Sequence, residues 1–325
     1  MIVGIGELLW DLYPDGRRVA GGAPFNFAFH CQQLGHESAI VSRVGNDDLG
    51  RELRDCVRSM GVRDDWIQTD GQHPTGIVRV ALDANKVPTY AIAENAAWDF
   101  IEWDGPLAGL SHDASSANGY ASSVRAICFG SLAQRSPKSR STIHRVVENA
   151  SLTIFDVNLR LRFYAPESLK TSLTASHWVK INEEELTVLE QLQSASWRNV
   201  YEGLTEVCFH GGEWPHVSTR GILTRGSNGC VVVDWSPEWD ESIGGNRYSE
   251  DWAEEPAAAA KVVDTVGAGD AFTAAMVCLH LEGRPLADCA RFANYYAARV
   301  CEHRGATPKF DRATIERAAF GEPNR

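Results

Sequence analysis

Residues 21–60, GGAPFNFAFHCQQLGHESAIVSRVGNDDLGRELRDCVRSM, decide the fold class together with the apolar run at residues 2–9 before them. Gly21-Gly22 turns the chain, and Pro24 suits the first turn of a helix, where its missing N–H costs nothing. Phe25, Ala28, Phe29 and Gln32 fall on neighbouring turns of that helix, and Gly35 ends it. A strand over Ala39–Val44 and a helix over Leu49–Met60 follow. With residues 2–9 as a first strand, this is a β-α-β-α succession. Such a succession sets strands parallel under covering helices, so the chain reads as an α/β fold on a mainly parallel sheet.

Working outward, the rhythm breaks once. TGIVRVALD and VPTYAIA, within residues 75–93, are β-rich runs joined by Asp83-Ala84-Asn85-Lys86, a hairpin pattern. A hairpin projecting from the body leaves edge groups unpaired. We therefore expect a small β lid, built mainly from residues 75–93 and the segment near 12–20, that covers a site, a second subunit, or both. A homodimer through that lid is an expectation of the same argument. The rhythm then resumes with strand Ala126–Phe129, helix Ser139–Asn149, strand Leu152–Val157, helix Pro166–Ala175, strand Trp178–Ile181 and helix Glu183–Gln191. Strands Gly221–Thr224 and Cys230–Val233 come next, and residues 234–256, acidic and aperiodic, read as an exposed loop. Two helices, Ala271–Leu281 and Leu286–Cys301, close the chain, with Gly283 ending the first. No repeat or linker divides residues 1–325, which we expect to form a single domain with its lid.

Composition narrows the partners. A formal net charge of −12 gives no general attraction to nucleic acid or anionic lipid, so neither is expected as a partner. The 8 cysteines are scattered without metal-ligand spacing and read as buried thiols of a reducing compartment. MIVGIGELLW has no basic leader region, and no apolar run has membrane-spanning length, so a cytoplasmic protein is expected.

Asp264-Thr265-Val266-Gly267-Ala268-Gly269-Asp270, followed by the apolar-periodic AFTAAMVCLHLEG, carries the chemistry. Small residues at 267–269 let backbone N–H groups converge on an anion, and the helix behind them adds its positive end. Asp270 beside an anion is unfavourable unless it has a task, such as taking a proton from an attacking hydroxyl, and that combination suggests a kinase. The plainer alternative is that Asp270 caps the helix behind a tight glycine turn.

Ligands of open α/β sheets bind beyond the carboxyl ends of strands, where Asp11, Asn26, Asp156, Asn158, Arg160, Asn182, Glu185 and the 224–229 loop also fall. Asp11 and Asn26 suit a polyol, or else a turn and a helix start. Asn182 and Glu185 suit hydrated magnesium or a helix cap. Arg160 suits a phosphate or a surface ion pair. Thr224, Gly226 and Gly229 suit nucleotide contacts or a hairpin turn.

These residues resemble the signatures of the ribokinase-like (pfkB) carbohydrate kinases, and among them the fructokinases. Ala20-Gly21-Gly22-Ala23-Pro24-Phe25-Asn26-Phe27-Ala28, with Gly35 and Gly45, matches the N-terminal signature, and Asp264–Asp270 the C-terminal one. GELLWDLYP and DVNLR look like the bacterial fructokinase branch. The resemblance implies a ribokinase-like fold, with helices on both faces of the sheet and a β lid. It also implies ATP-dependent phosphorylation of a small sugar, fructose first among the candidates. It makes Asp270 the catalytic base and the amides of Gly267, Ala268 and Gly269 the anion hole. It places Asp11, Gly21, Gly22 and Asn26 at the sugar and Arg160 at the substrate or the moving phosphate. Thr224, Gly226 and Gly229 would then face the nucleotide, and Asn294 the adenine. Asn182 and Glu185 would serve Mg²⁺, Glu185 through water, and Asp264 with the loop at Gly305-Ala306 a monovalent cation such as K⁺. Another sugar, a sugar acid such as 2-keto-3-deoxygluconate, and a nucleoside remain open as substrates. A non-catalytic sensor on this fold is disfavoured by the intact Asp270 and glycine turn. A dinucleotide dehydrogenase is disfavoured because no GxGxxG follows the first strand.

Overall fold

The computed structural model describes residues 1–82, 88–108, 110, 124–148, 150–192, 220–240 and 245–321. In chain order the N-terminal part is β1 (Ile2–Ile5), β2 (Leu9–Leu12), β3 (Arg18–Gly21), α1 (Ala23–Gln33), β4 (Ser38–Gly45), α2 (Asp48–Ser59) and β5 (Ile67–Asp70). It is followed by β6 (Gly76–Leu82), β7 (Pro88–Ile92), α3 (Gly105–Ala108), β8 (Ala126–Phe129), α4 (Pro137–Val147), β9 (Thr153–Asp156), α5 (Pro166–Thr174), β10 (Trp178–Asn182) and α6 (Glu183–Leu192). The C-terminal part is β11 (Arg220–Thr224), β12 (Cys230–Asp240), β13 (Gly245–Glu255), α7 (Ala268–Leu281), α8 (Leu286–Cys301) and α9 (Arg312–Phe320).

The central sheet runs β13-β12-β11-β10-β9-β8-β1-β4-β5. It is parallel from β5 to β11, and β12 and β13 join antiparallel at one edge. Its inner strands, such as β1, β4, β8 and β9, are buried on both faces because both faces are covered. Within β1, Val3 and Ile5 pack with Ile143 and Val146 of α4 and Leu169 of α5, whereas Ile2 packs with Phe27 of α1 and Ala271 and Ala275 of α7. The period-2 alternation of a strand sorts the two cores. A second sheet, β3-β2-β6-β7, stands apart from the first, with β2 and β6 parallel and the other pairs antiparallel. The hairpin connection at Asp83–Lys86 lies outside the described residues.

Three readings need correction. The apolar run at 2–9 is two strands rather than one, because Gly6, at φ 146°, carries the chain out of the central sheet toward the small one. Residues 234–256 are largely strand: β12 and β13 pair in register from Cys230 with Glu255 to Asp240 with Gly245. Backbone bonds hold this edge hairpin, so the charges it carries hide it from a hydrophobicity reading and suit an edge. A third closing helix, α9, follows α8; Asp311 caps it by accepting the Thr314 N–H at 3.1 Å. It buries only Ile315, too little apolar surface for a periodic signal. Among the described residues no helix is long and apolar enough to cross a membrane.

Candidate active site

α7 begins where the chain could not otherwise turn. Gly267, its N-cap, has φ 78°, and a Cβ there would lie 2.5 Å from the Ala306 Cβ. No described side chain caps the helix, so its first amides face outward with the positive end of the dipole. Ala268 already donates its N–H to Thr265 O at 3.3 Å. Asp270, in the first turn, is 8% exposed, and its Oδ2 accepts a hydrogen bond from Asn26 Nδ2 at 2.8 Å. Burial and then the negative charge of Asp156 raise its pKa to about 6, while the Asn26 bond, Arg160 and Lys180 pull it down. Asn26 Oδ1 is buried with no partner among the described residues.

The residues proposed to meet a sugar converge here. Gly22 is the N-cap of α1 at φ 113°, and a Cβ on it would strike Glu7 O at 2.2 Å. Gly21 ends β3 against β2, and a Cβ on it would fall 2.6 Å from Asp11 Oδ2. Burial raises Asp11 to about 6, opposed by the charge of Arg160. Arg160 is exposed, yet its positive charge lowers the pKa of Glu7, Asp11 and Asp270 alike. Its loop holds two non-glycine residues in left-handed conformations, Asn158 at φ 43° and Leu161 at φ 50°.

Sequence reasoning missed Glu7 and Lys180. Glu7 is 3% exposed; its Oε1 accepts the Ala23 N–H at 3.2 Å and its Oε2 has no described partner. Burial pushes it up to about 7. Lys180 donates to Asp156 Oδ1 at 3.0 Å, and Asp156 Oδ2 accepts from Thr273 Oγ1 at 2.9 Å. Burial would lower the Lys180 ammonium, but Asp156, Glu185 and Asp270 outweigh it and raise it. The available signal was a lysine inside the apolar strand Trp178-Val179-Lys180-Ile181.

The remaining candidate residues also carry local hydrogen bonds. Asn182 and Glu185 form a reciprocal cap on α6: Asn182 Oδ1 accepts the Glu185 N–H at 2.8 Å, and Glu185 Oε2 accepts the Asn182 N–H at 3.0 Å. Glu185 Oε1 also accepts the Leu159 N–H at 3.0 Å, and burial raises its pKa against the pull of Lys180. Thr224, Gly226 and Gly229 build the β11–β12 turn, closed by Arg225 N–H to Gly229 O at 2.7 Å. Asn294 Nδ2 donates to Glu255 O at 3.1 Å and Pro256 O at 3.2 Å, tying α8 to the end of β13. Asp264 joins two loops, accepting from Val266 N at 3.0 Å and Gly305 N at 2.9 Å. Among the described residues no three His, Cys, Asp or Glu side chains cluster as metal ligands.

Fold and site together define an α/β protein with an uncapped helix N-terminus and a buried carboxylate at the carboxyl ends of a parallel sheet. The chain belongs to the pfkB family of carbohydrate kinases, whose model matches residues 12–312. It is 30% identical over 339 aligned positions to the putative sugar kinase PH1459 of Pyrococcus horikoshii, covering 96% of this chain and 94% of that protein. The crystal structure of that sugar kinase in complex with ATP matches with TM-score 0.74 at 28% identity, over 98% of this chain and 97% of the other. Probable fructokinase-7 of Arabidopsis thaliana is 25% identical over 335 positions, 95% of this chain and 89% of that one. The fold is therefore ribokinase-like, and the chain is a sugar kinase.

Proposed function

We propose that the chain transfers the γ-phosphoryl group of ATP to a hydroxyl of a small sugar, with fructose the first candidate. The observation that carries this is the Asp270 carboxylate, buried, bonded by Asn26 and set in the first turn of an uncapped helix. Asp270 takes the hydroxyl proton while the amides of Gly267 and Gly269, and that of Ala268 on release of its 3.3 Å bond to Thr265 O, meet the phosphoryl oxygens, so most of the rate comes from position and fixed charge. Asp11, Gly21, Gly22 and Asn26 hold the sugar, and the free Oδ1 of Asn26 accepts one of its hydroxyls. Thr224, Gly226, Gly229 and Asn294 form the nucleotide side through the turn and strand end they brace.

Asn182 and Glu185 would hold magnesium through water, and the ion would supply positive charge to offset that of the phosphates. The donors suit it only as an outer-sphere partner, since both Glu185 oxygens already accept backbone N–H groups. We place a monovalent cation such as K⁺ beside Asp264, whose oxygens already accept the Val266 and Gly305 N–H groups and so join the two loops flanking the turn. We place residues 1–325 in one domain, with β3-β2-β6-β7 as the lid and a homodimer contact, in the cytoplasm. A second reading is a sugar acid such as 2-keto-3-deoxygluconate, favoured by the Arg160 charge, which acts on Asp11 and Asp270. A coupled ADP assay with fructose, ribose, adenosine and 2-keto-3-deoxygluconate, with and without K⁺, decides between them. Asp270→Ala should cut kcat by about two to four orders of magnitude with the fold intact. A near wild-type rate would refute the role of Asp270.

A further inference from the structure

Asp156 and Lys180 are register partners on the neighbouring parallel strands β9 and β10. Ile154 and Trp178, two residues before each, belong to the core under α1, α7 and α8, so alternation puts Asp156 and Lys180 on that same face, beneath α7. The ammonium then abuts the start of that helix: a Cβ on Gly269 would lie 3.0 Å from Lys180 Nζ. Gly269 is thus small on its inner side to leave room for a cation. This is an unusual place for one. Helix N-termini carry partial positive charge and favour anions, whereas lysines belong at the other end. A buried ion pair also adds little stability over apolar residues of similar size. A cation held against this turn, although Asp156 offsets part of its charge, makes sense when a multiply charged anion binds on the turn's other side.

We propose that Lys180 is a positioning residue for phosphoryl transfer, a fixed positive charge that Asp156 holds against the underside of the 267–269 turn. The proposal rests on the kinase reading above. Thr273 completes the support by bonding Asp156 from within α7. Lys180 also favours the ionised form of Asp270. The other groups acting on Asp270 are Glu7 after β1, Asn26 of α1, Cys128 of β8, Asp156 of β9 and Arg160 in the loop beyond it. Lys180 itself faces Asp156, Asp270 and, from α6, Glu185.

The test compares wild type, Lys180→Met and the double variant Lys180→Met/Asp156→Asn. Lys180→Met should lower kcat about 10- to 100-fold, below the roughly 100- to 1,000-fold loss of a donor in direct contact, with sugar KM changed less than about threefold. The acid limb of its kcat profile should move to higher pH. The double variant leaves no buried orphan charge, so its melting temperature and acid limb should return toward wild type while kcat stays low. Recovery of kcat along with the melting temperature would reduce the pair to a structural strut and overturn the proposal. A ¹³C-carboxyl NMR titration, with the Asp270 line assigned by its loss in Asp270→Asn, reads the coupling without turnover. An unmoved line in Lys180→Met overturns the proposal even if the sugar kinase reading stands. A wild type that phosphorylates none of the sugars overturns that reading, and this outcome is distinct.

Discussion

At the scale of single residues, the working state of Asp270 depends on pH. A base must be ionised, and burial raises this carboxyl to about 6, so its proton is held well above the ordinary carboxylate range. Activity should therefore climb as pH rises through about 6 and level off above 7. Asn26 donates to the carboxylate and favours its charged form. Asn26→Ala should move the acid limb upward as well as weaken sugar binding, and a pH–rate series on both proteins checks it. An unmoved limb would mean that the hydrogen bond does not set the titration. Asp270, Asn26 and the glycines could be singled out from sequence because they open a helix or end a strand, whereas Asp11, read as following the first strand, lies inside β2. Glu7 and Lys180 could not be singled out. Each sits inside an apolar run, and its meaning arises only from contacts with α1, β9 or α7.

At the scale of elements, the glycine turn before α7 is tested by comparing two glycines. Gly267 and Gly305 both have left-handed φ, 78° and 84°. A Cβ on Gly305 would meet nothing within 4 Å, whereas one on Gly267 would meet Ala306 at 2.5 Å. Gly305→Ala should cost about 1 to 2 kcal/mol from backbone conformation alone. Gly267→Ala should cost roughly 1 to 3 kcal/mol more from overlap and lower kcat at least tenfold by displacing the first turn of α7. Thermal melts and steady-state rates of both variants check this, and equal losses would deny that the turn is shaped against Ala306. The elements themselves were largely legible where apolar periodicity drives them, as in α1, α2 and the strands β8 to β11. The exceptions are elements that owe little to apolar burial: the charged hairpin β12–β13 beyond Val233, and the short β5, α3 and α9. The split between β1 and β2 depended on a single glycine torsion.

At the scale of the whole molecule, the site is a standing cost to the fold. Burial raises Glu7 to about 7 and Asp11 and Asp270 to about 6, so the folded chain binds protons that the unfolded chain has released. Stability contributed by these groups therefore falls as pH rises from about 4 to about 7, then stays flat. Paired carboxylates such as Asp47, Asp70 and Glu282 are held low and act in the opposite sense, favouring the fold above pH 4. The overall curve mixes both, so a single substitution must isolate the first. Glu7 is the best choice, being 3% exposed with one oxygen unpartnered. Glu7→Gln keeps an acceptor for the Ala23 N–H and removes the charge. It should stabilise the protein at pH 8 by on the order of 3 kcal/mol, the cost of ionising a carboxyl raised from 4.5 to about 7, and have little effect at pH 4.5. Urea denaturation at the two pH values measures the difference. An equal effect at both would show that the Glu7 carboxyl is not held above its ordinary range, and that the fold bears no ionisation cost at this edge of the site.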